Sequence, residues 1–369
     1  MTQTYRAAVL HQSGAPLAIE RVSMRSPAPN DVVVKIRAAG LCHTDLEVID
    51  GILRYPLPMI LGHEASGVVE EVGSAVSSVR VGDHVVLSWN PHCGHCFYCD
   101  RAQPILCESY LGEGPKGLHF DGQSKAELTT GGQLNHLMFL GAFAEYCVVP
   151  AQQAIVVSKD IAYDRSCLIG CGVMTGVGAA LNVANIQYGD TVMVIGCGAV
   201  GLAAIQGAVM AGAGQIIAVD IDDVKLSLAA KLGATQCVNS GHHDPVGVAR
   251  NASQGRGADV ILESAGHPAA FRQTTEAVRP GGQVIWLGKI DVTKDVNFRW
   301  GSLMGEKQLR RSSYGGARPR RDFPLLANAY LNGRLKLDEL ITRRISLDEI
   351  NEGFDLLRNG KAIRTVIEF

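Results

Sequence analysis

The chain has 369 residues, of which 47% are hydrophobic, so it is long enough to bury more than one hydrophobic core. Its 34 basic and 36 acidic residues leave a formal net charge of −2 at pH 7, a balance that excludes a general nucleic-acid surface and an anionic-membrane patch. The arginine-rich runs at 318–321 and 343–344 are interpreted as solvated faces. The first ten residues carry no basic segment followed by a sustained apolar stretch, so no signal peptide is expected and a cytoplasmic protein is predicted.

The first half of the chain, to about residue 172, is predicted to be mainly β. Short runs of alternating hydrophobicity, bounded by turn residues, predict strands at Tyr5–Leu10, Asp31–Ala39, Ala65–Val72 and His84–Leu87.

Three dispersed residues in this half are candidate ligands of one metal ion. Cys42 lies in G-L-C-H-T-D, His63 in G-H-E and Cys171 in G-C-G. Taken singly, such residues are more often small buried groups or hydrogen-bonded imidazoles. Together, two thiolates and one imidazole would leave the fourth tetrahedral position of a zinc ion open, which is typical of a catalytic site.

Four further cysteines are closely spaced in one segment, at Cys93, Cys96, Cys99 and Cys107. Four thiolates can close a tetrahedral shell around one zinc ion, which predicts a structural site. The alternative is a redox or disulfide cluster, which needs an oxidising compartment that nothing else in the sequence indicates. His92 and His95 are interpreted as surface residues of this lobe.

From about residue 173 the pattern changes to strands that alternate with helices. A buried strand at Thr191–Gly196, a helix at Ala199–Ala213 and a second strand at Gln215–Asp220 predict a βαβ unit, and not a membrane span over 192–214. Later elements are predicted at Ala258–Glu263, Pro268–Arg279 and Gln283–Gly288, the last after a turn at Pro280–Gly282, and the tail adds helices at Phe323–Leu331 and Leu347–Asn359 and a strand at Ile363–Phe369. The segment from 173 to 314 is predicted to be doubly wound, and the tail to fold back onto the first domain.

The glycine run that joins the first two elements of this unit, G-C-G-A-V-G, fits a dinucleotide-binding loop. Gly196 permits a tight turn, Gly198 lets the backbone approach a pyrophosphate, and Gly201 lets helix and strand pack closely. Asp220 ends the second strand, where a carboxylate accepts hydrogen bonds from the adenosine ribose and repels a 2′-phosphate. The sequence therefore favours NAD over NADP.

These motifs, in this order, resemble the zinc-dependent medium-chain alcohol dehydrogenases, and more closely the liver and glutathione-dependent formaldehyde dehydrogenase branch. The resemblance covers nearly the whole chain, through G-L-C-H-T-D, L-G-H-E-A-S-G-V-V-E, V-G-D-H-V-V, the four-cysteine segment, G-C-G-V-M-T-G, the glycine loop and I-N-E-G-F-D-L-L-R. It implies an α/β fold in which residues 1–172 and 315–369 form a GroES-like, β-rich catalytic domain and residues 173–314 form an inserted Rossmann domain. The active site is then expected in the cleft between them.

The resemblance also implies residue roles. Cys42, His63 and Cys171 would bind catalytic zinc, with Asp45 orienting the histidine, Glu64 beside the metal and Thr44 next to the reacting oxygen. The remaining implied contacts are with NAD: His43 and Arg364 at the pyrophosphate, Lys225 near the adenosine ribose, and Val200 and Leu287 with the glycine loop. Hydride would pass from a zinc-bound alkoxide to the nicotinamide ring, and the proton would leave through Thr44.

Two positions depart from the family pattern. Where the liver branch commonly has a proton-accepting histidine, this chain has Glu47, and two interpretations stay open: Glu47 accepts the proton, or it faces solvent. An unchanged pH-rate profile for Glu47→Gln would rule out the first. Where the formaldehyde branch has an arginine for the carboxylate of its thiol adduct, this chain has Leu111.

Trp89 matches a position that lines the substrate pocket, and a large aromatic residue there favours primary alcohols. The outer pocket is expected from 52–57, 111–140 and the surroundings of Met304. Aromatic, allylic or medium-chain alcohols are therefore predicted as substrates, with a thiol-adduct-dependent formaldehyde dehydrogenase as the alternative. The resemblance implies a homodimer, because the 35 residues between Cys107 and Phe143 are enough for the surface loop that the dimeric branch of the family has and the tetrameric microbial enzymes lack. Pairing is expected through edge strands of the cofactor domain near Gly288–Met304.

Two alternatives from other classes stay open. A non-catalytic NAD-sensing protein would need a broken zinc triad, and a metal-free reductase would lack both cysteine groups; metal analysis separates the second, with two zinc ions per chain against none. Four cysteines remain, and they are interpreted as buried small hydrophobic residues: Cys147, Cys167, Cys197 and Cys237.

Overall fold

The computed structural model describes residues 3–369 and has two compact units. One holds the chain up to Cys171 together with Arg318–Phe369, and the other holds Gly172–Ala317. The limits predicted from sequence, 173 and 314, lie within three residues of this division. We call the two parts the catalytic unit and the cofactor unit.

The catalytic unit begins with short strands and turns. Its strands up to residue 156 are β1 (Thr4–Leu10), β2 (Ala18–Met24), β3 (Asp31–Gly40), β4 (Met59–Ile60), β5 (Ala65–Val72), β6 (His84–Leu87), β7 (Ala126–Leu128), β8 (Asn135–His136), β9 (Tyr146–Pro150) and β10 (Ala154–Val156). Its helices are short: α1 (His43–Ile49), α2 (Phe97–Asp100), α3 (Glu108–Glu113) and α4 (Tyr163–Ser166), with 3-10 turns at Pro104–Leu106, Gly114–Lys116, Leu137–Phe139, Ala151–Gln153 and Cys167–Gly170. All four strands predicted in this region are present.

The cofactor unit alternates strands and helices. Its elements are α5 (Gly172–Gly178), a π-helix at Ala179–Val183, β11 (Thr191–Ile195), α6 (Ala199–Met210), β12 (Gln215–Asp220), α7 (Asp223–Lys231), β13 (Gln236–Asn239), α8 (Pro245–Ala252), β14 (Ala258–Glu263), α9 (Pro268–Ala277), β15 (Val278–Trp286) and β16 (Gln308–Arg311), with 3-10 turns at Trp300–Leu303 and Tyr314–Gly316. The six strands form a parallel sheet in the order β13-β12-β11-β14-β15-β16. Strand order that runs outward in both directions from β11 is that of a doubly wound sheet, as predicted.

The apolar stretch at 192–214 is a buried strand, a loop and a helix, as the sequence analysis predicts, and not a continuous helix. Among residues 3–369, no single helix has the length and composition needed to cross a membrane. The helices Tyr163–Gly170 and Gly172–Val183 reach that length and composition only when they are taken together.

One predicted turn is instead part of a strand. Pro280, Gly281 and Gly282 lie inside β15, where the pairing with β14 passes from Ala258–Val278 directly to Val260–Gln283. The extra residues bulge out of the ladder, which accommodates a proline that cannot donate a hydrogen bond.

The tail contains α10 (Pro319–Leu331), β17 (Ile341–Ile345), α11 (Ile350–Arg358) and β18 (Arg364–Glu368), with 3-10 turns at Asp338–Leu340 and Leu347–Glu349. β18 pairs antiparallel with β3, so the last strand completes a seven-stranded sheet in the order β10-β6-β5-β3-β18-β17, with β9 also on β3. A five-stranded sheet, β7-β2-β1-β4-β8, packs in the same unit. The predicted fold class, a GroES-like β-rich domain with a Rossmann domain, is confirmed.

Helix α10 begins four residues before its predicted start at Phe323. The predicted start is too late because the basic run at 318–321, which contributes the first turn, has no apolar periodicity. Pro319 favours the earlier start, since proline is well suited to the first position of a helix. The arginines of both basic runs are exposed, as predicted.

Of the four unassigned cysteines, Cys147, Cys167 and Cys197 are buried as predicted. The prediction is wrong for Cys237, which is exposed. Cys237 lies on the edge strand β13, and the next residue, Val238, is buried, so Cys237 projects from the opposite face of the strand.

Candidate metal centre and cofactor site

The donor atoms of Cys42, His63 and Cys171 converge in the catalytic unit. All three lie within 4.8 Å of one another, and the Cys171 Sγ is 3.3 Å from the His63 Nε2. In a tetrahedral zinc site with Zn–S of about 2.3 Å and Zn–N of about 2.0 Å, sulfur and nitrogen lie about 3.5 Å apart. The three groups therefore fit one zinc ion, and three protein donors leave a fourth position for substrate.

Each of these ligands is held by the end of an element. Cys42 directly precedes α1, His63 lies in the turn between β4 and β5, and Cys171 follows the 3-10 turn at Cys167–Gly170. Cys42 and His63 are buried and Cys171 is half-buried. A ligand set fixed by three rigid elements keeps its geometry with little ordering cost when the metal binds.

Asp45 orients the histidine. Its Oδ1 lies 3.1 Å from the His63 Nδ1 and also accepts the N–H of Gly62 at 3.0 Å, while Oδ2 accepts the N–H of Cys42 at 3.3 Å. With the Nδ1 proton directed at this carboxylate, Nε2 presents its lone pair toward the sulfur of Cys171. Asp45 is fully buried, so its three contacts replace the water that a charged group requires.

The two thiols of the group are not equivalent. A hydrogen bond from the Cys171 thiol lowers the pKa of Cys42 well below its usual range, although burial opposes this, and the neighbouring His63 and Arg364 add to the lowering. A thiolate is the form that binds metal, so Cys42 is prepared as a ligand by its surroundings.

Glu64 and Arg364 form a buried ion pair beside this group. Their Oε2 and Nη2 atoms are 3.4 Å apart, and the Arg364 Nη1 donates to the carbonyl of Leu41 at 3.1 Å. Arg364 is 5% exposed, and Glu64, Cys42 and Cys171 raise its pKa against the effect of burial. The pair places one negative and one positive charge at the metal group, where Glu64 was expected.

Helix α1 carries the residues implied in proton transfer. Thr44 and Glu47 are three positions apart, so they share a face of the helix, and both are half-buried. His43, the first helical residue, is exposed. Helix α1 therefore carries Asp45 and both candidates for proton transfer, Thr44 and Glu47. It begins directly after the ligand Cys42.

The four-cysteine segment forms a second candidate zinc site. The sulfur atoms of Cys93, Cys96, Cys99 and Cys107 lie within 4.8 Å of one another, and the N–H of Cys93 donates to the Cys107 Sγ at 3.3 Å. Backbone N–H groups of residues 99 and 108 lower the pKa of the Cys96 thiol to about 6. The interleaved histidines, His92 half-buried and His95 exposed, are not part of this group.

The glycine loop lies between β11 and α6 in the cofactor unit. Gly196 has φ of +92°, which favours glycine, and a Cβ at Gly201 would lie 1.8 Å from the Gly196 carbonyl oxygen. Gly198 is the residue before α6, and a Cβ there would meet nothing within 4 Å, so the helix N-terminus is open to a pyrophosphate. Val200 lies in the first turn of the same helix.

Asp220 stands at the end of β12, beside this loop. Its Oδ2 accepts the N–H of Cys197 at 2.6 Å, and its Oδ1 accepts those of Ile221 at 2.8 Å and Asp222 at 3.0 Å. These bonds fix the carboxylate and still leave acceptor capacity on its oxygens. Lys225 is half-buried on α7, and Leu287 is buried directly after β15.

Two residues at this edge of the sheet, Glu263 and Ser264, are not among the site residues predicted from sequence. The Ser264 hydroxyl donates to the Gly196 carbonyl at 2.8 Å and so ties the end of β14 to the glycine loop. A usable signal was present, because the strand 258–263 was predicted and the carboxyl ends of adjacent parallel strands meet at one edge of a sheet.

The catalytic unit also holds an aromatic group that the sequence analysis identified only through Trp89. The ring centroid of Tyr110 lies 6.2 Å from that of Trp89 and 5.8 Å from that of Phe139. Tyr55 and Trp89 both pack against the hydrophobic core of this unit, to which Leu46 of α1 also belongs. Burial raises the pKa of Tyr55, and the charge of Asp45 adds to the increase. Trp89, Tyr110 and Phe139 form a connected group of aromatic rings in the catalytic unit.

Comparisons with known proteins agree with this geometry. The alcohol dehydrogenase GroES-like domain model matches residues 28–159, and the zinc-binding dehydrogenase model matches residues 199–331. An alcohol dehydrogenase class-3 of Cereibacter sphaeroides is 37% identical over 99% of both chains. The chain belongs to the zinc-dependent alcohol dehydrogenase family. An S-(hydroxymethyl)glutathione dehydrogenase of Synechocystis is 36% identical to this dehydrogenase over 99% of both chains.

Solved structures resemble the dehydrogenase over its full length. The benzyl alcohol dehydrogenase of Acinetobacter calcoaceticus is 32% identical, with a TM-score of 0.94 over 100% of this chain and 99% of that one. A putative zinc-binding dehydrogenase of Sinorhizobium meliloti, bound to NADP, is 27% identical, with a TM-score of 0.81 over 100% of both chains. The dehydrogenase is thus an oxidoreductase that acts on small molecules with zinc and a nicotinamide cofactor.

Proposed function

We propose that the dehydrogenase interconverts primary alcohols and aldehydes whose carbon chain bears an aromatic, allylic or medium-length apolar group, with NAD as the cofactor. The aromatic group of Trp89, Tyr110 and Phe139 carries this proposal, together with Tyr55, which packs against the same hydrophobic core as Trp89. Aromatic side chains bind a planar ring by stacking or edge contacts, each contributing about 0.5–1.5 kcal/mol beyond the area buried.

Trp89 supports the choice of primary alcohols. It is half-buried, and it packs against the hydrophobic core of the catalytic unit, so its ring cannot swing far from its position. A fixed indole beside the reacting carbon leaves room for a hydrogen atom on that carbon but not for a second alkyl group.

A second candidate function is oxidation of a thiol adduct of formaldehyde, which the names of the 36% identical relatives favour. Against it, Leu111 stands where that branch has the arginine that binds the adduct's carboxylate. Leu111 is 52% exposed and carries no charge. A leucine cannot replace the charge-assisted hydrogen bonds of an arginine, which contribute about 1.5–3 kcal/mol.

We assign the following roles. Cys42, His63 and Cys171 hold the catalytic zinc, which when bound supplies a Lewis acid for the alcohol oxygen. Asp45 fixes the imidazole of His63, and the Thr44 hydroxyl takes the substrate's proton on its way out, with Glu47 as the candidate acceptor. Cys93, Cys96, Cys99 and Cys107 hold the second, structural zinc.

On the cofactor side, the glycine loop and the N-terminus of α6 bind the pyrophosphate, helped by His43 and Arg364. Asp220 and Lys225 bind the adenosine ribose, and Val200 and Leu287 contact the cofactor through their backbone. Because the Asp220 carboxylate is fixed by three N–H groups, it cannot turn away from a 2′-phosphate, which supports NAD over NADP.

We also propose a cytoplasmic homodimer. No disulfide joins any of the ten cysteines, all of which lie within the described residues, and two thiolate-rich zinc sites persist best in a reducing compartment. The edge strand of the sheet on this side is β16, which follows the segment 288–304 in the chain; that segment itself contains a 3-10 turn and no strand. The apolar side chains of Val292, Trp300 and Met304 are nevertheless exposed, which supports a contact surface there.

The test is a substrate panel with NAD and NADP, followed at the absorbance of the reduced nicotinamide. We expect kcat/KM for benzyl and cinnamyl alcohol to exceed that for 2-propanol and for formaldehyde with glutathione by at least about tenfold. Trp89→Ala should raise the ratio of 1-phenylethanol to benzyl alcohol by about tenfold, because truncation opens space for the second alkyl group.

Tyr188→Ala, at a 94% exposed aromatic residue of the cofactor unit, is the control and should leave this ratio unchanged. A preference for the glutathione adduct would overturn the substrate class in favour of the second candidate. A kcat/KM with NADP equal to that with NAD would overturn the cofactor preference.

A further inference from the structure

Glu263 is a buried carboxyl group at the carboxyl end of β14, and the roles assigned above do not include it. It is 0% exposed. Its Oε1 accepts the N–H of Gly266 at 2.7 Å, but its Oε2 has no hydrogen-bond partner among residues 3–369. A buried carboxylate oxygen without a partner is costly, so its presence needs an explanation.

The position of Glu263 is the point where the winding of the sheet changes direction. β11 lies between β12 and β14, and in register Ile195 of β11 faces Glu263 of β14. In open α/β sheets, dinucleotides bind outside the carboxyl ends of the strands at this point, with one mononucleotide half on each side. Asp220, at the end of β12, marks the adenosine half. The nicotinamide half then extends over the ends of β14 and β15.

The carboxyl group lies directly against the backbone of those two strand ends. The Glu263 carbonyl accepts the N–H groups of Leu287 at 2.7 Å and Gly288 at 3.0 Å. A Cβ at Gly288 would lie 2.6 Å from the Glu263 Oε2 and 2.3 Å from the Gly266 nitrogen. The loops that follow β14 and β15 therefore lie close to each other beside this side chain.

The surroundings bring the pKa of the Glu263 carboxyl group close to neutral pH. Burial raises the pKa of Glu263 to about 7, against the hydrogen bond from the Gly266 N–H, the weaker effects of neighbouring N–H dipoles and the charge of Arg311. The guanidinium of Arg311 itself donates to the carbonyls of Trp286 and Ser312. A positive charge brought close to the strand ends would therefore favour the carboxylate strongly.

The nicotinamide ring supplies such a charge in only one of its redox states: it is a cation in the oxidised cofactor and neutral in the reduced one. We propose that Glu263 is a positioning residue that orders the β14 and β15 loops and, through its charge, makes the cofactor unit bind NAD⁺ more tightly relative to NADH. The proposal rests on the nicotinamide binding proposed above. It adds a residue that selects the cofactor's redox state.

The experiment compares dissociation constants for NAD⁺, NADH and ADP-ribose at pH 8, by calorimetry on the zinc-loaded protein. ADP-ribose contains everything but the nicotinamide ring. Glu263→Gln keeps an acceptor for the Gly266 N–H and removes the charge. We expect it to weaken NAD⁺ on the order of tenfold, as a charge at an effective dielectric constant of about 20 implies, and to change NADH and ADP-ribose less than about twofold.

Glu306→Gln is the matched control, since it removes one negative charge from an exposed position of the same unit and should change none of the three constants. Equal weakening of all three ligands would reduce Glu263 to a structural role, and no change for any of them would also overturn the proposal. A different result would overturn the nicotinamide binding itself. In that case, the unsubstituted protein would bind ADP-ribose as tightly as it binds NAD⁺ and NADH, so the nicotinamide ring would contribute nothing to affinity.

Discussion

At the scale of single residues, chemistry here depends on partners that are distant in sequence. His63 and Cys171 are 108 residues apart, yet Nε2 and Sγ are 3.3 Å apart, and the imidazole is turned toward that sulfur by Asp45 on another element. The residues that hydrogen-bond to the ligands, such as Asp45, therefore decide whether the donor atoms point at a common metal position.

Asp45→Asn tests the role of Asp45 in orienting the ligand His63. The amide keeps the shape of the side chain but removes the charge that fixes the His63 proton on Nδ1, so zinc affinity at the Cys42–His63–Cys171 group should fall about 10- to 100-fold. Zinc transferred to a chromogenic chelator, counted per chain, should show one ion released early and one retained by the four-cysteine site. Asp355→Asn, an exposed carboxylate on α11, should release zinc as the unsubstituted protein does. Identical release from both variants would contradict the orienting role of Asp45.

At the scale of elements, the two chain segments of the catalytic unit are joined by an ion network as well as by strand pairing. Asp164 on α4 accepts two hydrogen bonds from Arg344 on β17, at 2.8 and 2.9 Å, and two from Arg165, at 2.7 and 2.8 Å. Arg165 also reaches Asp338 at 2.8 Å. Asp164 is 5% exposed, so this carboxylate depends on its arginine partners for the contacts that water would otherwise provide.

Asp164→Asn should therefore destabilise the protein by about 1–3 kcal/mol at pH 7, less than for a fully buried pair because both arginines are partly exposed. Burial alone would raise the pKa of Asp164, but hydrogen bonds from Arg165 and Arg344 outweigh it and lower the pKa. The ionised form is thus favoured by folding. Its contribution is complete above the unfolded pKa of about 3.9 and is lost as pH falls through the lower folded value.

The measurement is the midpoint of thermal unfolding at pH 7, 5 and 3.5. The difference between the original protein and Asp164→Asn should be similar at pH 7 and 5 and smaller at pH 3.5. Glu352→Gln, which breaks an exposed ion pair with Arg343, should change stability by about 0.5 kcal/mol or less. A difference for Asp164→Asn that grew as the pH fell would refute the assigned sign.

At the scale of the whole molecule, the cofactor unit has an open sheet edge, and the segment that precedes this edge strand carries exposed apolar side chains. β16 is the last strand of the parallel sheet, and Val292, Trp300 and Met304 are 94%, 77% and 59% exposed. An unpaired strand edge next to exposed apolar groups is normally covered in a stable protein. A second copy of the chain would cover it.

Light scattering during size-exclusion chromatography should give twice 39.3 kDa, or about 79 kDa, for the zinc-loaded protein. Trp300→Asp should shift the mass toward the monomer at micromolar concentration, because a charge in an apolar interface costs several kcal/mol. Tyr188→Asp places the same charge at another exposed aromatic position of this unit and should leave the mass unchanged. A tetrameric mass for the original protein would refute the dimer.

Much of this protein's structure could be predicted from local sequence patterns. The strand, loop and helix around Gly196, the acidic end of β12 and the four-cysteine segment each involve residues that are close in sequence, so spacing alone predicts their geometry. The resemblance to a known family then supplied what spacing cannot, namely that Cys42, His63 and Cys171 belong to one site.

Other features required the folded chain because they depend on contacts between distant segments. The bulge at Pro280–Gly282 depends on pairing with β14, and the exposure of Cys237 depends on which face of β13 the rest of the unit covers. Packing between elements that are distant in sequence gives Asp164 its arginine partner on β17. Such packing also buries the Oε2 of Glu263 without a hydrogen-bond partner among the described residues. The sequence by itself determined the elements and their chemistry; the tertiary structure decided which side chains lose water together, since burial is a property of the packed chain and not of any segment.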